Sequence, residues 1–326
     1  MTQETLILSY HDLEDLIEIS MVIEAVERAF RAYEDKTAKM PPKVYLDLPE
    51  FSGDFRAMPA QIGEHATIKW VNSHPKNLNL PTVMAVVIYS DCRTGFPLAI
   101  MDGTLLTMYR TGAASAVASK YMARKDSKTL GLAGCGAQAR TQLLAISHVF
   151  DLDAVNVFDL SEDEVRKIME AHPEVNVIPA PLEKVSACDI IATTTPVRSP
   201  IIKREWIREG THINAVGADA PGKEELDPAI IQDARVVVDE IEQASNGGEI
   251  NVPLKKGFIT RDHIWATLGE VVAGKKSGRE NEREITVFDS TGLAIQDAAT
   301  AELIYNLATK EGRGTWMELV HPAAVA

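Results

Sequence analysis

Hydrophobic and polar positions follow two different rhythms along this chain. Up to about residue 102 the apolar stretches are short and are broken by Pro and Gly. Thr5–Ser9, Pro41–Leu46, Phe55–Pro59, Ala66–Val71, Val83–Tyr89 and Pro97–Met101 read as strands. A helix over Met21–Tyr33 interrupts them, with Ile23, Val26, Ala29 and Phe30 at helical spacing. A longer helix is expected over Leu105–Ala123, rich in Ala and Ser, with Arg110-Thr111-Gly112-Ala113-Ala114 near its start.

From Thr129 the rhythm changes to strand, helix, strand. Residues 129–133, 154–158, 189–193, 211–216, 235–238 and 285–288 are the strand candidates, and helical stretches separate several of them. That alternation predicts a parallel sheet with helices on both faces. Gly292–Leu307 reads as a last helix, after which the tail is expected to return to the first module; Gly274–Arg283 reads as an exposed loop. The expected fold is therefore α/β: a Rossmann-type doubly wound sheet domain over residues 119–301, plus a β-rich α+β domain over 1–118 with 302–326.

The turn after the first strand of the second module carries chemistry. Leu130–Ala133 leads into Gly134, Gly136 and Ala139, a G-x-G-x-x-A pattern. Gly134 permits a tight turn, Gly136 lets backbone approach a pyrophosphate, and Ala139 allows the next helix to pack closely. The helix start offers free N–H groups to phosphate. Asp159 ends the following strand 25 residues after Gly134, near the roughly 20 expected of the acid that binds ribose hydroxyls. No cation follows early in Leu160-Ser161-Glu162-Asp163, which favours NAD over NADP.

Bulk properties narrow the remaining choices. The 326 residues suffice for two domains, and 45% hydrophobic with 25% charged content is ordinary for a globular protein. A net charge of −14 argues against a general nucleic-acid or anionic-membrane surface. Cys92, Cys135 and Cys188 have no C-x-x-C spacing, so no disulfide framework and no metal site is expected. No signal pattern or membrane-length apolar run is present, and a cytoplasmic enzyme is the expectation. His74 reads as a structural, hydrogen-bonded residue in a turn, Trp70 as core packing, and His212 and His263 lack metal-ligand spacing.

Four cations in the first module stand out: Lys43, Arg56, Lys69 and Arg110. Lys69 lies in Thr67-Ile68-Lys69-Trp70-Val71, where a lysine is costly unless it has a partner or a task. Burial would lower its pKa and make it a usable acid or base. In the second module, the apolar strand at Ala215-Val216 ends in Gly217-Ala218-Asp219-Ala220-Pro221-Gly222-Lys223. Ligands of doubly wound sheets bind at the carboxyl ends of strands, so topology places Asp219 near the cofactor.

At these residues the chain resembles the ornithine cyclodeaminase/μ-crystallin family. Lys69-Trp70-Val71-Asn72-Ser73-His74-Pro75, Arg110–Ala114, Gly134–Ala139, Gly217–Lys223 and Asp289-Ser290-Thr291-Gly292 carry the likeness, in order, over nearly the whole chain. Pro41–Leu46, Arg56–Ala60 and Gly247–Val252 are similar to the archaeal-type alanine dehydrogenase branch. The resemblance implies that the first domain binds substrate and forms a homodimer. It implies that Lys69 and Asp219 face the reacting carbon, with Arg110 near the substrate carboxylate and the nicotinamide end. It also implies that Thr111, Gly136, Ala137, Asp159 and Ser290 line the cofactor, together with Arg110, Gly134, Gln138 and Gly217.

Two positions depart from the ornithine-acting members: Arg56 stands where they resemble one another in a Glu, and Lys43 where they have an arginine. A cation in place of a carboxylate repels a diamino acid; at ~4 Å like charges cost on the order of 1 to 4 kcal/mol. Lys43, Arg56 and Arg110 are the expected grip on a small substrate carboxylate. The expected reaction is NAD-dependent interconversion of L-alanine with pyruvate and ammonia, without a metal. Ornithine cyclodeamination, cyclic ketimine reduction, and a non-catalytic nucleotide-binding role are the alternatives.

Overall fold

The computed structural model describes residues 3–321. Its contacts divide the chain into two compact units, one of residues 3–110 with 293–321, the other Thr111–Gly292. The divisions fall earlier than the expected 118/119 and 302. The first lies inside the long helix Gly103–Met122 and the second just ahead of the helix Ala294–Glu311. Arg110 therefore sits in the body of its helix, two turns past the start, and not at the opening expected from sequence.

The first unit is built on one mixed sheet. Its strands are β1 (Thr5–Leu8), β2 (Ala38–Lys39), β3 (Val44–Leu48), β4 (Gly53–Ile62), β5 (His65–Ser73), β6 (Ala85–Asp91) and β7 (Pro97–Asp102). The order across the sheet is β1-β7-β6-β5-β4-β2, with β3 paired to β4. The tail returns as expected: Thr315–Met317 pairs antiparallel with β1. Alternation decides the two faces. Met58, Lys69, Val71, Val87, Tyr89 and Met101 are buried on the inner face, against which the helix Ala294–Glu311 packs. Ile68, Trp70, Val86 and Ile88 point the other way and are exposed. Trp70 is thus not core packing; it is 44% exposed and stacks on Phe55, ring centroids 5.1 Å apart. The expectation failed because a strand with two apolar faces does not announce which face is inside.

The second unit carries β8 (Thr129–Ala133), β9 (Ala154–Phe158), β10 (Val177–Pro179), β11 (Ile190–Thr193), β12 (Arg198–Ile202), β13 (His212–Ala215), β14 (Glu224–Leu226), β15 (Arg235–Val238), β16 (Ile264–Thr267) and β17 (Thr286–Asp289). Eight of them form one parallel sheet in the order β10-β9-β8-β11-β13-β17-β15-β16; β12 and β14 pair separately. The chain runs outward through β8, β9 and β10, then crosses to β11 and β13 on the other side, where β17 returns between β13 and β15; reversal of direction between β8 and β11 is the arrangement of a doubly wound nucleotide fold. Each face has its own core. Leu130, Leu132, Val155, Val157, Ile190 and Ala192 meet Leu143, Ile146 and Ile168 on one side. Ala133, Ile191, Ile213, Val236, Val238 and Val287 meet Ile230, Ile231 and Ala244 on the other. Strands buried on both faces explain why these segments read as continuous apolar runs.

Gly131 in the middle of β8 is required by packing. A Cβ there would stand 2.1 Å from the carbonyl oxygen of Val185. Backbone cannot yield as a flexible side chain would, and overpacking of this kind costs roughly 1–3 kcal/mol. Gly131→Ala is expected to lower the thermal midpoint by about 2–12 °C, at roughly 2–4 °C per kcal/mol for a unit of this length; a melting curve that overlays the parent's would show that the sheet relaxes freely.

Candidate active site

In the first unit the chemistry gathers around one carboxylate. Lys69, on the inner face of β5, is 1% exposed, and its Nζ donates to Asp297 Oδ1 at 2.8 Å and to Thr107 Oγ1 at 3.3 Å. Arg110 Nε lies 3.0 Å from the same Oδ1, close enough for charge pairing though not aligned for a hydrogen bond. Arg110 Nη1 donates to Gln296 Oε1 at 2.8 Å. Asp297 Oδ2 and Gln296 Nε2 are buried with no hydrogen-bond partner among the described residues. Burial and the neighbouring Arg110, with a smaller effect of Lys43, lower the Lys69 pKa to about 7, against the pull of Asp297. The partner that the apolar setting of Lys69 demanded is this aspartate.

Arg56 and Lys43 occupy the same unit. Arg56 is largely buried in β4, with Nε donating to Asp54 Oδ1 at 2.7 Å and Nη2 to Asp54 Oδ2 at 3.2 Å, and its guanidinium lies 5.4 Å from the centre of the Tyr45 ring. Lys43 precedes β3 and is near enough to lower the pKa of Lys69. Lys43, Lys69 and Arg110 thus share one neighbourhood. Arg56 comes with an acid of its own.

Asp297, Gln296, Thr107 and Asp54 are the residues that the sequence reading missed. Asp297 had a signal. It stands in Ala294-Ile295-Gln296-Asp297-Ala298-Ala299, the wholly buried and largely apolar start of its helix, where an acid is as costly as Lys69 is in its strand. Asp54 had none, since it looks like any turn-edge acid.

In the second unit the turn after β8 has the form expected of a dinucleotide site. Gly134 takes φ +97°, and a Cβ there would press on Thr194. Gly136 is the N-cap of the helix Ala137–Val149 and no side chain caps it. A Cβ on Gly136 would meet nothing within 4 Å. The glycine is therefore not demanded by protein packing, and the space in front of it suits an approaching phosphate. Ala139 is fully buried and Gly112 packs on Thr141, where a Cβ would fall 2.4 Å from its carbonyl oxygen. Ala137 is exposed and Gln138 half-buried at the helix start, and Thr111 is buried in its own helix, its carbonyl accepting from Gln142 Nε2 at 3.4 Å. Cys135 is buried and its thiol is pushed up to about 12 by burial, so it is an inert filler of the turn.

Asp159 closes this turn. Its Oδ2 accepts from Cys135 N at 2.8 Å and its Oδ1 from Ser161 N at 2.8 Å. It also lines a cavity of about 640 Å³ with Phe158, Glu162, Val165, Arg166 and Ala180. A cavity with apolar walls and a fixed carboxylate at its edge, flanked by Glu162, Arg166 and Glu170, suits an adenosine moiety. Asp219 stands in the turn after β13, with Oδ1 paired to Lys223 and its backbone N–H on Gly217 O at 3.1 Å. Gly217 and Ser290 follow the ends of β13 and β17, and Ser290 N donates to Ala215 O at 2.9 Å. His212 is fully buried between Thr286 and Asn214 and burial lowers its pKa to about 3, the behaviour of a neutral structural histidine. His74 shares a 2.8 Å hydrogen bond with Asn72.

Comparison with known proteins agrees with this anatomy. The profile of the ornithine cyclodeaminase/mu-crystallin family matches residues 3–312. The chain is 51% identical to an alanine dehydrogenase of Archaeoglobus fulgidus over 96% of this chain and 98% of that one. Among solved structures, an archaeal alanine dehydrogenase dimer with bound NAD superposes with a TM-score of 0.95 at 50% identity, covering 97% of this chain and 100% of that one. Thermococcus litoralis Δ1-pyrroline-2-carboxylate reductase, in complex with NADH and L-proline, gives 0.93 at 42% identity, over 95% and 99%. No helix among the described residues is long and apolar enough to cross a membrane. A profile match over nearly the full length, and half of all positions identical to one relative, establish that the chain belongs to the ornithine cyclodeaminase/mu-crystallin family.

Proposed function

We propose that the protein is an NAD-dependent amino-acid dehydrogenase that interconverts L-alanine and water with pyruvate and ammonia. The observation that carries this reading is Lys69, buried, poised at a pKa of about 7 and set among other cations. Bound NAD would supply the hydride acceptor for the substrate Cα and, reduced, the donor for the reverse reaction.

The chain's own residues supply the rest. A lysine titrating near neutrality both gives and takes a proton. In the reductive direction Lys69 protonates the keto oxygen as ammonia adds. In the oxidative direction it takes the proton from the hydroxyl of the carbinolamine as ammonia leaves. Asp219, paired with Lys223, orients and deprotonates the water that attacks the imine and passes that proton to the amine nitrogen, which leaves as ammonia while the water's oxygen becomes the keto oxygen. Arg110 grips the substrate carboxylate, Arg56 adds a second guanidinium, and Lys43 adds charge. Lys43, Lys69 and Arg110 outnumber Asp297, so the neighbourhood favours an anionic substrate.

Asp54 changes the argument about ornithine. Its fork on Arg56 cancels much of that cation's field, so repulsion of a second amino group rests on Lys43, Lys69 and Arg110 as well. A second reading, reduction of a cyclic imine, is supported by the likeness to the Thermococcus reductase. It needs the same proton donor at nitrogen and dispenses with the water and ammonia steps.

The exposed side of the first unit's sheet supports a homodimer. Val44, Ala57, Trp70 and Val86 stand in register across β3, β4, β5 and β6, next to Pro59, Ile68 and Ile88. A continuous apolar patch of this kind marks an interface, and a second copy is the partner we assign to it. Three unpaired thiols are in keeping with a reducing compartment, and we place the enzyme in the cytoplasm.

Three measurements test these statements. NADH should be consumed only when pyruvate and ammonia are both present, and ornithine with NAD should give no proline. Silence with pyruvate and ammonia alongside turnover of Δ1-pyrroline-2-carboxylate would replace the first reading with the second. For Lys69, kcat at saturating alanine should rise with pH through about 7, as the free amine forms. Asp297→Asn removes the group that raises this pKa, so the rise should move to lower pH. Lys69→Ala should lower kcat by about 100-fold or more with NADH binding intact; an unmoved limb in Asp297→Asn would remove Lys69 from the proton transfer. For assembly, light scattering should give twice the chain mass for the parent and the single chain mass for Trp70→Glu; a dimeric Trp70→Glu would place the interface elsewhere.

A further inference from the structure

Four fully buried carboxylates in the second unit have no part in the mechanism above. Glu225, Glu249, Asp289 and Asp239 are each at most 2% exposed. Each is satisfied by N–H and O–H donors, most of them backbone. Glu225 takes four donors, drawn from two different loops. Its Oε1 accepts from Thr195 N and Thr195 Oγ1, both at 2.7 Å, and its Oε2 from Thr193 Oγ1 at 2.7 Å and Gly217 N at 2.9 Å. The backbone N–H of Glu225 is in turn held by Glu249 Oε1 at 2.9 Å, and that of Leu226 by the same oxygen at 2.7 Å. Glu249 N donates to Asp289 Oδ1 at 2.9 Å, and Ile250 N to Asp289 Oδ2 at 3.1 Å. Asp239 N donates to Asp289 O at 3.0 Å, while Asp239 Oδ2 accepts from Thr291 N at 2.6 Å and Gly292 N at 2.7 Å.

The tie points are not scattered. Thr193 ends β11 and Thr194–Thr195 follow it, Gly217 follows β13, Asp239 follows β15, and Asp289 ends β17 with Ser290–Gly292 after it. All lie at the carboxyl ends of parallel strands, the edge where such a sheet receives its ligand. Two glycines are shaped to the relay. A Cβ on Gly217 would lie 2.2 Å from Thr195 O and 2.7 Å from the Glu225 carboxyl carbon, and one on Gly248 would lie 2.5 Å from both Asp289 oxygens. Burial pushes Glu225 and Glu249 up, and Asp289 up to about 8, so these acids are kept in place at an electrostatic cost.

Glu225 bridges two loops with distinct tasks. Thr194 and Thr195 are the residues against which Gly134 of the dinucleotide turn is packed. Gly217 is the anchor of the turn that carries Asp219, whose N–H bonds to Gly217 O. We propose that Glu225 is a positioning residue that fixes, with one carboxylate, both the floor under the dinucleotide turn and the turn bearing Asp219, and that Glu249, Asp289 and Asp239 extend this frame along the strand ends. The inference rests on the dinucleotide role assigned above.

The test reads binding as well as rate. In Glu225→Gln one of the two acceptor oxygens becomes an NH2 that faces donors. The NADH dissociation constant, read by fluorescence titration without substrate, should rise about ten-fold or more, and kcat should fall with it. Thr195→Val removes one donor of four and leaves the backbone N–H; it should raise the same constant about threefold, with a smaller effect on kcat than Glu225→Gln. A merely structural role would lower the melting midpoint of the ligand-free protein yet leave the folded fraction binding NADH as the parent does. Parent-like NADH affinity in both variants, or in Thr195→Val alone should Glu225→Gln not fold, would overturn the inference. Failure of the parent itself to bind NADH would overturn the dinucleotide role instead.

Discussion

The contact between Lys69 and Asp297 governs the first unit. The two residues are 228 positions apart and both are essentially without solvent. Neither charge is tolerable there alone; breaking a buried pair by removing one partner costs about 3–5 kcal/mol. The inner face of the sheet and the helix Ala294–Glu311 must therefore meet in one register, with β5 supplying the lysine and the helix supplying the acid. The end of the chain is tied to its first hundred residues by this pair at the centre and by the Thr315–Met317 strand at the edge. A purely apolar contact of the same size would be as stable or more so. The pair gives instead a lysine whose proton is held loosely, because the single acid is opposed by burial and by Arg110.

The second unit buries charge by the opposite means. Glu225, Glu249, Asp289 and Asp239 are satisfied mainly by backbone N–H groups and threonine hydroxyls. The two solutions suit different tasks. An ion pair of long side chains leaves a titrating group that can exchange protons. A carboxylate saturated by backbone donors fixes loop geometry, since each donor it holds is one that the loop end would otherwise leave unpaired. Strand ends of a parallel sheet carry many such donors, and loops there must stay shaped for a ligand. Acids placed among them do the work that caps do for helices.

How far the sequence disclosed this depends on the range of the signal. The parallel sheet was legible because strands buried on both faces leave unbroken apolar runs: 129–133, 154–158 and 235–238 coincide with their strands. The dinucleotide turn was legible because small residues at fixed spacing have a local steric cause. Lys69 was legible as an anomaly, a charge where none should sit. What escaped were residues that matter through distant partners. Asp297 needed the same anomaly argument applied to a helix. Asp54 and Glu225 have ordinary local surroundings, Glu225 standing beside another glutamate in Lys223-Glu224-Glu225-Leu226. The short strands β10, β12, β14 and β16 escaped too, since three to five residues at a sheet edge or in a side ribbon carry too little period to register.

The Asp54–Arg56 pair shows why substrate choice is the hardest property to read from residue types. The sequence presents Arg56 as a bare cation facing a substrate. In the fold its Nε and one Nη2 contact are taken by Asp54, and Tyr45 lies over the guanidinium. A guanidinium gripped in this way contributes less net charge, and its rotamer is fixed by its partners. Unbalanced positive charge in the unit then comes chiefly from Lys43, Lys69 and Arg110 around Asp297. On the proposed reading, affinity for a small anion and geometric selection of which anion are carried by different residues.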